Sequence, residues 1–434
     1  MNNREDEKIC LYIEPYMHIN IKNNTILLYN TLNGQHLVFD SNSAIIALMK
    51  RMISTKNLNA VIEERAILKE KNLQGFLETC INMQFINWYS YSKEVSHKKP
   101  VSLPAILNFH RDRRKISLDP ERNPGQDILK YLHKLNIYIN CYQGDHFDNL
   151  LFKEGYKQFL FPYSSNEYNE LQLEGIQQLL DQLRTIGICD ITVLGGNIFK
   201  YTEFDRLMTL LNQLPLKKEL GIFYKDITID NLKLVDWDKS KEIFLKIFVG
   251  PQMEKNQLIN CIKLLKDFKV NSKYQFTIQS ESDANDFEEV VDFLNENQFY
   301  VKAFHNGFNY KFFKENIFIE KGDLSEPVIS KKDIYARSVM NPNSFGHITI
   351  LCSGDVYSNL NERRIGTIDH GVKSLLLKEL SEGRGWFTLR KDLSPCNNCV
   401  YHQICPPISN YEYALSRNNL CWLQHDKGYE INAD

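Results

Sequence analysis

No run of about 18 apolar residues occurs anywhere in the 434-residue chain, so no helix is expected to span a membrane. The first ten residues, MNNREDEKIC, contain no apolar core of a signal peptide. Together these absences predict a cytoplasmic protein. Neither sign of charge dominates: 52 basic residues face 54 acidic ones. That balance supplies no global field to draw in nucleic acid or an acidic lipid surface. With only 20 glycines and 13 prolines, and 43% apolar residues, the composition excludes a disordered chain. There is no G-x-S-x-G, no P-loop and no H-E-x-x-H. His18, His110, His133 and His305 have no metal-ligand spacing with one another. Glu63-Glu64 and Glu288-Glu289 are read as helical neighbours, which point apart and make poor acid–base pairs.

The chain does hold ten cysteines, four of them near one end. SPCNNCVYHQIC (394–405) and NNLCWL give Cys396-x2-Cys399-x5-Cys405-x15-Cys421. Disulfides are disfavoured in a reducing compartment, so this cluster points to metal, and the other six read as scattered thiols. A C-x2-C pair bites one centre from a tight turn, and two thiolates from a returning tail complete four ligands. Common zinc sites use two short knuckles. The fifteen residues before Cys421 lean away from structural zinc, which stays open as the alternative.

Three regions are expected. Residues 1–95 begin with alternating strands HINIK (18–22), TILLYN (25–30) and HLVFD (36–40). A helix capped by Ser41 or Asn42, two more helices near 57–68 and 71–83, and the strand FINWYS follow, the layout of a winged helix. The polar stretch 91–100 reads as a linker. From 101 to 335, strands such as AILNF, IYINC, QFLFP, ITVLGG and IFLKIFV alternate with helical patterns. One of these carries Ile176, Leu179, Leu180 and Leu183 on one face. Repeated β-α units imply a parallel sheet, open or curled into a barrel. From 336 to 434, HITILCSGDVYSN reads as a hairpin, a helix covers roughly 370–382, and the cysteine tail closes the chain.

The tail resembles the SPASM domain, which follows the barrel in many radical-SAM peptide-modifying enzymes. That domain carries two auxiliary [4Fe-4S] clusters on C-x9–15-G-x4-C, C-x2-C-x5-C-x3-C and a last cysteine. The resemblance implies that Cys396, Cys399, Cys405 and Cys421 hold the second cluster. The first is not implied: Gly354 is followed by Asn359 in place of cysteine, Ser409 stands at the x3-C position, and 338–344 contains no cysteine. Cys352 is out of register.

The region 158–211 is similar to the start of a radical-SAM barrel, with a first strand QFLFP, a loop PYSSNEYNE, a helix, a second strand and a G-G-E turn. Yet no C-x3-C-x2-C occurs in the chain. Soft thiolates hold the iron that cleaves S-adenosylmethionine. The turn reads Gly195-Gly196-Asn197, and an amide cannot neutralise the cofactor's ammonium. The resemblance is to a pseudo-radical-SAM protein: an α/β, partial (β/α) TIM-like barrel with an N-terminal winged-helix-like domain and a C-terminal SPASM-like domain. It is similar to the companion proteins of the GG-Bacteroidales peptide-maturation system, with YIEPYMHI, LLYNTLNG and CPPISNYE carrying the likeness.

This implies a non-catalytic partner of a radical-SAM peptide maturase. It would form a heterodimer with that enzyme, carry one [4Fe-4S] cluster and cleave no S-adenosylmethionine. The first domain is similar to leader-peptide recognition elements, where a peptide adds as a strand to a sheet edge. That edge is expected at TILLYN or HLVFD, beside helix 71–83. The alternative is an iron–sulfur electron-transfer subunit serving the maturase.

Overall fold

The computed structural model describes residues 8–91, 126–143, 150–184, 189–295 and 298–423. The expected linker (but for Tyr91), the strand AILNF and His110 lie outside these.

The first region is built from six strands in two three-stranded sheets. Strands β1 (Lys8–Ile13), β5 (Ala60–Glu64) and β6 (Ile86–Ser90) form one, in the order β5-β1-β6. Strands β2 (Met17–Lys22), β3 (Thr25–Asn30) and β4 (His36–Asp40) form the other as an antiparallel meander. Helices α1 (Ser43–Met52) and α2 (Gln74–Asn82) pack between them. Asn42 caps α1 by accepting from the Ile45 N–H at 2.9 Å.

The helix expected at 57–68 is instead β5 followed by a 3₁₀ turn, Arg65–Lys69. Its AVI run finds an antiparallel partner in β1, a strand the alternation in 18–40 overshadowed. A long-range pairing thus overrides a marginal local helical pattern. Glu63 and Glu64 accordingly sit in a strand and point to opposite faces. The layout is two small sheets with two helices, rather than one sheet followed by three helices.

The second region is one nine-stranded sheet: β7 (Lys134–Tyr138), β8 (Asp190–Leu194), β9 (Lys218–Phe223), β10 (Ile243–Val249), β11 (Ser272–Ile278), β12 (Phe299–Ala303), β13 (His347–Ile350), β14 (Asp355–Tyr357) and β15 (Gly366–Thr367). Its order is β12-β11-β10-β9-β8-β7-β13-β14-β15, with β7 to β13 all parallel. From β7 to β12 each strand lies beside its predecessor, without the reversal of a doubly wound sheet; that is the order of a barrel wall. The sheet is open, ending at β12 and β15. Helices α3 (Leu150–Gln158), α4 (Leu173–Leu183), α5 (Phe204–Asn212), α6 (Ile229–Lys233), α7 (Lys255–Asp267) and α8 (Glu281–Val291) fall between the strands. On α4 the predicted stripe Ile176, Leu179, Leu180 and Leu183 is buried.

The hairpin expected in 347–357 forms, and its first strand extends the sheet by pairing parallel to β7. Gly346 starts it at φ +77°, where a Cβ would lie 2.3 Å from the His133 ring. Its carbonyl accepts from the His133 and Lys134 N–H groups. Three further helices complete the described chain: α9 (Tyr310–Ile317), α10 (Lys331–Arg337) and α11 (Val372–Glu382), before a short α12 (Asn410–Ala414) in the tail. None is long and apolar enough to cross a membrane.

QFLFP is not a strand. The segment 159–163 runs irregularly and fills the barrel, with Phe161 fully buried and edge-on to Phe248 at 5.4 Å. Its carbonyls are taken by side chains: Gln275 donates to Leu160 and Tyr138 to Phe161. A short apolar run reads equally as a strand or as core filler. The first core strand is β7, one element earlier.

The barrel face is unusually basic. Lys246, on β10, is only 7% exposed. Burial, then the Lys134 charge, pushes its ammonium down to about 7; Lys302 and Lys273 add to this and Glu219 opposes it. A lysine whose folded pKa lies below its unfolded value destabilises the fold while charged, and the cost fades as pH rises. We expect stability to increase between about pH 7 and pH 10. Lys246→Met should raise neutral-pH stability by roughly 2–4 kcal/mol and flatten that rise. Urea unfolding of both proteins across pH checks it; a wild-type curve that is flat or falling there contradicts the assignment.

Candidate functional site

The ends of β7 and β8 meet at the predicted glycine pair. Gly195 and Gly196 leave β8 pressed against the chain that leaves β7. A Cβ on Gly195 would lie 2.4 Å from the Asn140 carbonyl oxygen, and one on Gly196 would lie 2.6 Å from the Cys141 carbonyl carbon. The glycines are required here by close approach. Gly196 N–H donates to the Asn140 side chain at 3.0 Å, and Asn140 Nδ2 donates to the Asn197 carbonyl at 2.9 Å.

Asn197 is buried, and its side chain is fully used. Its Oδ1 accepts from the Phe199 N–H at 3.1 Å and its Nδ2 donates to Asp226 Oδ1 at 3.3 Å. Asp226, just beyond β9, takes a second hydrogen bond on Oδ2 from the Tyr142 hydroxyl. Burial pushes the Asp226 carboxyl above its ordinary value, while the donated hydrogen bonds oppose that shift. A carboxylate therefore stands at the carboxyl ends of the strands, where ligands of parallel sheets bind. Asn197 and Tyr142 occupy both of its oxygens. Sequence reasoning missed Asp226 and Tyr142 because 84 residues separate them.

The loop that leaves the first core strand begins at Ile139, not in PYSSNEYNE, which follows α3. It carries one thiol, Cys141, with Asp145 and Asp148 at the positions x3 and x2 further on; both lie outside the described residues. The Cys141 thiol donates to the Glu167 carbonyl at 3.4 Å, and a hydrogen bond from Cys352 holds it below its ordinary pKa. Cys352 follows β13 and also meets the Tyr163 hydroxyl at 2.6 Å.

The tail gathers the four predicted cysteines. Cys396 opens a 3₁₀ turn, Cys399 ends it, Cys405 closes the next loop, and Cys421 bridges to Ile319. All four are buried and free of disulfides. They lie within electrostatic reach: Cys399 and Cys421 each disfavour ionisation of Cys396 and of Cys405, and burial disfavours it more. Among the described residues, no group of three or more ligand side chains is placed to hold a metal ion.

Two of the thiols have hydrogen-bond donors beside them. The Arg390 guanidinium lies 3.8 Å from Cys396 Sγ, and Asn419 Nδ2 donates to Cys421 Sγ at 3.5 Å. Arg390 is buried and pairs with buried Glu412 at 2.7 Å. Glu412 in turn caps α12 by accepting from the Ser409 N–H and hydroxyl. At the position of the missing first-cluster cysteines, Asn359 donates to Asn410 at 2.9 Å and Ser409 is this helix cap.

The tail also carries the first region. Leu27 and Tyr29 of β3 pack against Val400, Ile404 and Cys405, while Ile26 and Leu28 face α1 and α2. Asn20 donates to the Val400 carbonyl at 2.6 Å, and Tyr29 accepts from the Ile329 N–H at 2.9 Å. TILLYN is thus the central strand of its sheet and offers no edge. HLVFD, as β4, is an edge that no strand covers among the described residues. Phe39 of β4 meets Phe76 of α2 edge-on at 5.1 Å. Ser41 N–H donates to Asn24 and Gln35 accepts from Asn30. By alternation, His36, Val38 and Asp40 turn their backbone groups outward.

No protein-family model matches the chain, and no curated protein matches it. Among solved structures it is similar to Streptococcus suis SuiB bound to precursor peptide SuiA, at 15% identity over 95% of this chain and 98% of that one, with a TM-score of 0.47. SuiB bound to S-adenosylmethionine gives 14% identity over 95% and 98%, with a TM-score of 0.45. Native anSMEcpe with bound AdoMet gives 14% identity over 66% of this chain and 98% of that one, with a TM-score of 0.43.

Removing Arg390 leaves Glu412 as a buried, unpaired carboxylate. Arg390→Ala should cost roughly 3–5 kcal/mol. The double change Arg390→Met with Glu412→Leu should recover a large part of it. Denaturant unfolding of the three proteins measures both; equal losses in single and double variants contradict the pairing.

Proposed function

We propose that this chain is a non-catalytic companion of a radical-SAM peptide maturase, holding the precursor's leader and presenting it to that enzyme. One observation carries the reading. The strand-end mouth where such a barrel binds its cofactor has no thiolate triad, and its carboxylate is closed off by Tyr142 and Asn197. Without that triad the chain has no set of three thiolates to hold a cluster with one vacant iron. The four tail thiols would hold one [4Fe-4S] cluster, which supplies cross-linking and, if redox-active, one-electron transfer. Arg390 and Asn419 would offset its negative charge. Because the first region rests on this tail, the cluster's chief role here is to brace the peptide-binding sheet.

The leader would add as a strand to the β4 edge, with apolar side chains entering beside α2. Tethering raises the substrate's effective concentration at the enzyme to about the millimolar range.

Four measurements test this. Anaerobically purified protein should contain about four irons and four sulfides per chain, with little zinc. Given reductant and S-adenosylmethionine, it should release no 5′-deoxyadenosine alone; steady release by the isolated chain would falsify the companion reading. Val38→Pro removes one outward N–H without touching the β3–β4 ladder. It should weaken leader binding about tenfold or more in fluorescence anisotropy with little change in melting temperature. Unchanged binding places the peptide elsewhere. Cys399→Ser separates the cluster's roles: loss of the first region's packing, seen by proteolysis, supports bracing, whereas an intact complex that no longer matures peptide supports electron transfer.

A further inference from the structure

The barrel interior holds a second polar site, which the Gly195-Gly196 turn does not line. It is a cavity of about 470 Å³, within the size range of small-molecule sites. Lys134 of β7, Lys246 of β10 and Lys302 of β12 line it, with no carboxylate among the lining residues. The register explains the convergence. Asn136, Thr192 and Glu219 pair across β7, β8 and β9 and so share the inner face. Glu219 lies 3.8 Å from Lys217 and, though not part of the lining, offsets part of the charge on Lys134 and Lys246.

Lys246 is more than nine-tenths buried and, among the described residues, has no hydrogen-bonding side chain as partner. Its ammonium lies 5.1 Å from the Tyr300 ring centroid and 5.5 Å from that of Phe248, contacts that compensate a buried charge only in part. Lys134 and Lys302 are also held below their ordinary pKa by burial. Asn136 donates to Thr349 at 3.2 Å, but its Oδ1 finds no partner. Gln275 and Tyr300 are already fixed to each other at 2.9 Å. His347 stays neutral, pushed down to about 4 by burial.

A core that only needed filling would be apolar, since a buried ammonium opposes folding. Lys246 is that buried cation, while Lys134 is half-buried and Lys302 is exposed to solvent. Glu219, outside the cavity lining, offsets part of the Lys246 charge, and an anion in the cavity would offset the rest. We propose that this cavity binds a small organic molecule carrying at least two negative charges, its phosphate or carboxylate groups taken by Lys134, Lys246 and Lys302. The neutral amides and the Tyr300 ring line the rest and fix its orientation. This proposal does not depend on the companion reading, because it concerns a different part of the barrel and needs no cluster.

The full chain is titrated calorimetrically in low-salt buffer with pyrophosphate and, separately, with succinate, and melting is followed with each. Saturable one-to-one binding with a rise in melting temperature is expected for at least one probe, and the responding probe tells phosphate from carboxylate recognition. Lys246→Met and Lys302→Gln should each weaken that binding about tenfold or more. Lys246→Met should melt at least as high as wild type without probe, which separates lost binding from lost folding. Lys273→Gln, on the neighbouring strand outside the cavity lining, should bind as wild type does. If neither probe binds saturably, or if both cavity variants bind as tightly as wild type, the proposal is wrong.

Discussion

Strand β7 is hydrogen-bonded on both sides, to β8 of the barrel and to β13 of the closing region. Everything else is hung from that double pairing. Parallel partners cannot be joined by a tight turn, so β7 finds β13 only after more than two hundred residues have been folded between them. Once it does, Cys141 and Cys352, leaving the two strands, come into hydrogen-bonding contact. The glycine turn after β8 closes on the other side. The side chains of Lys134 and His347, directly paired in register, line one inner wall.

The barrel holds two chemically different sites. At the carboxyl ends of β8 and β9, Asn197 and Asp226 are hydrogen-bonded, Asp226 by Asn197 and Tyr142. In the interior cavity, Lys134, Lys246, Lys302 and the Asn136 amide face open space. Buried polar groups in folded proteins are normally matched. A ligand in the lysine-lined cavity would restore that balance.

The tail joins both to the first region. Its buried Arg390–Glu412 pair orders the short helix after Cys405, places a cation beside Cys396 and sets Ser409 at the cavity rim. The other side of the same tail supports β3, whose consecutive residues are buried on alternate faces. That explains the unbroken apolar run Ile26–Tyr29 within TILLYN. It is a central strand covered on both faces, and the free edge passes to HLVFD.

Much was legible in the sequence because it was local. Alternation in 18–40, the helical stripe on 176–183, the hairpin at 347–357 and the C-x2-C-x5-C spacing each depend on residues within a turn or two of one another. So does the missing thiolate triad. What the sequence could not show was which apolar run becomes a strand. QFLFP and AVI are equally apolar and short, yet one fills the barrel and the other pairs with β1, because only AVI finds a free edge. The Asp226–Tyr142 closure and the lysine cavity likewise arise from residues scattered over four or more strands. Local chemistry determined the vocabulary of elements and the identity of the thiols. Long-range hydrogen-bond pairing decided which side chains share a face, and so which sites exist.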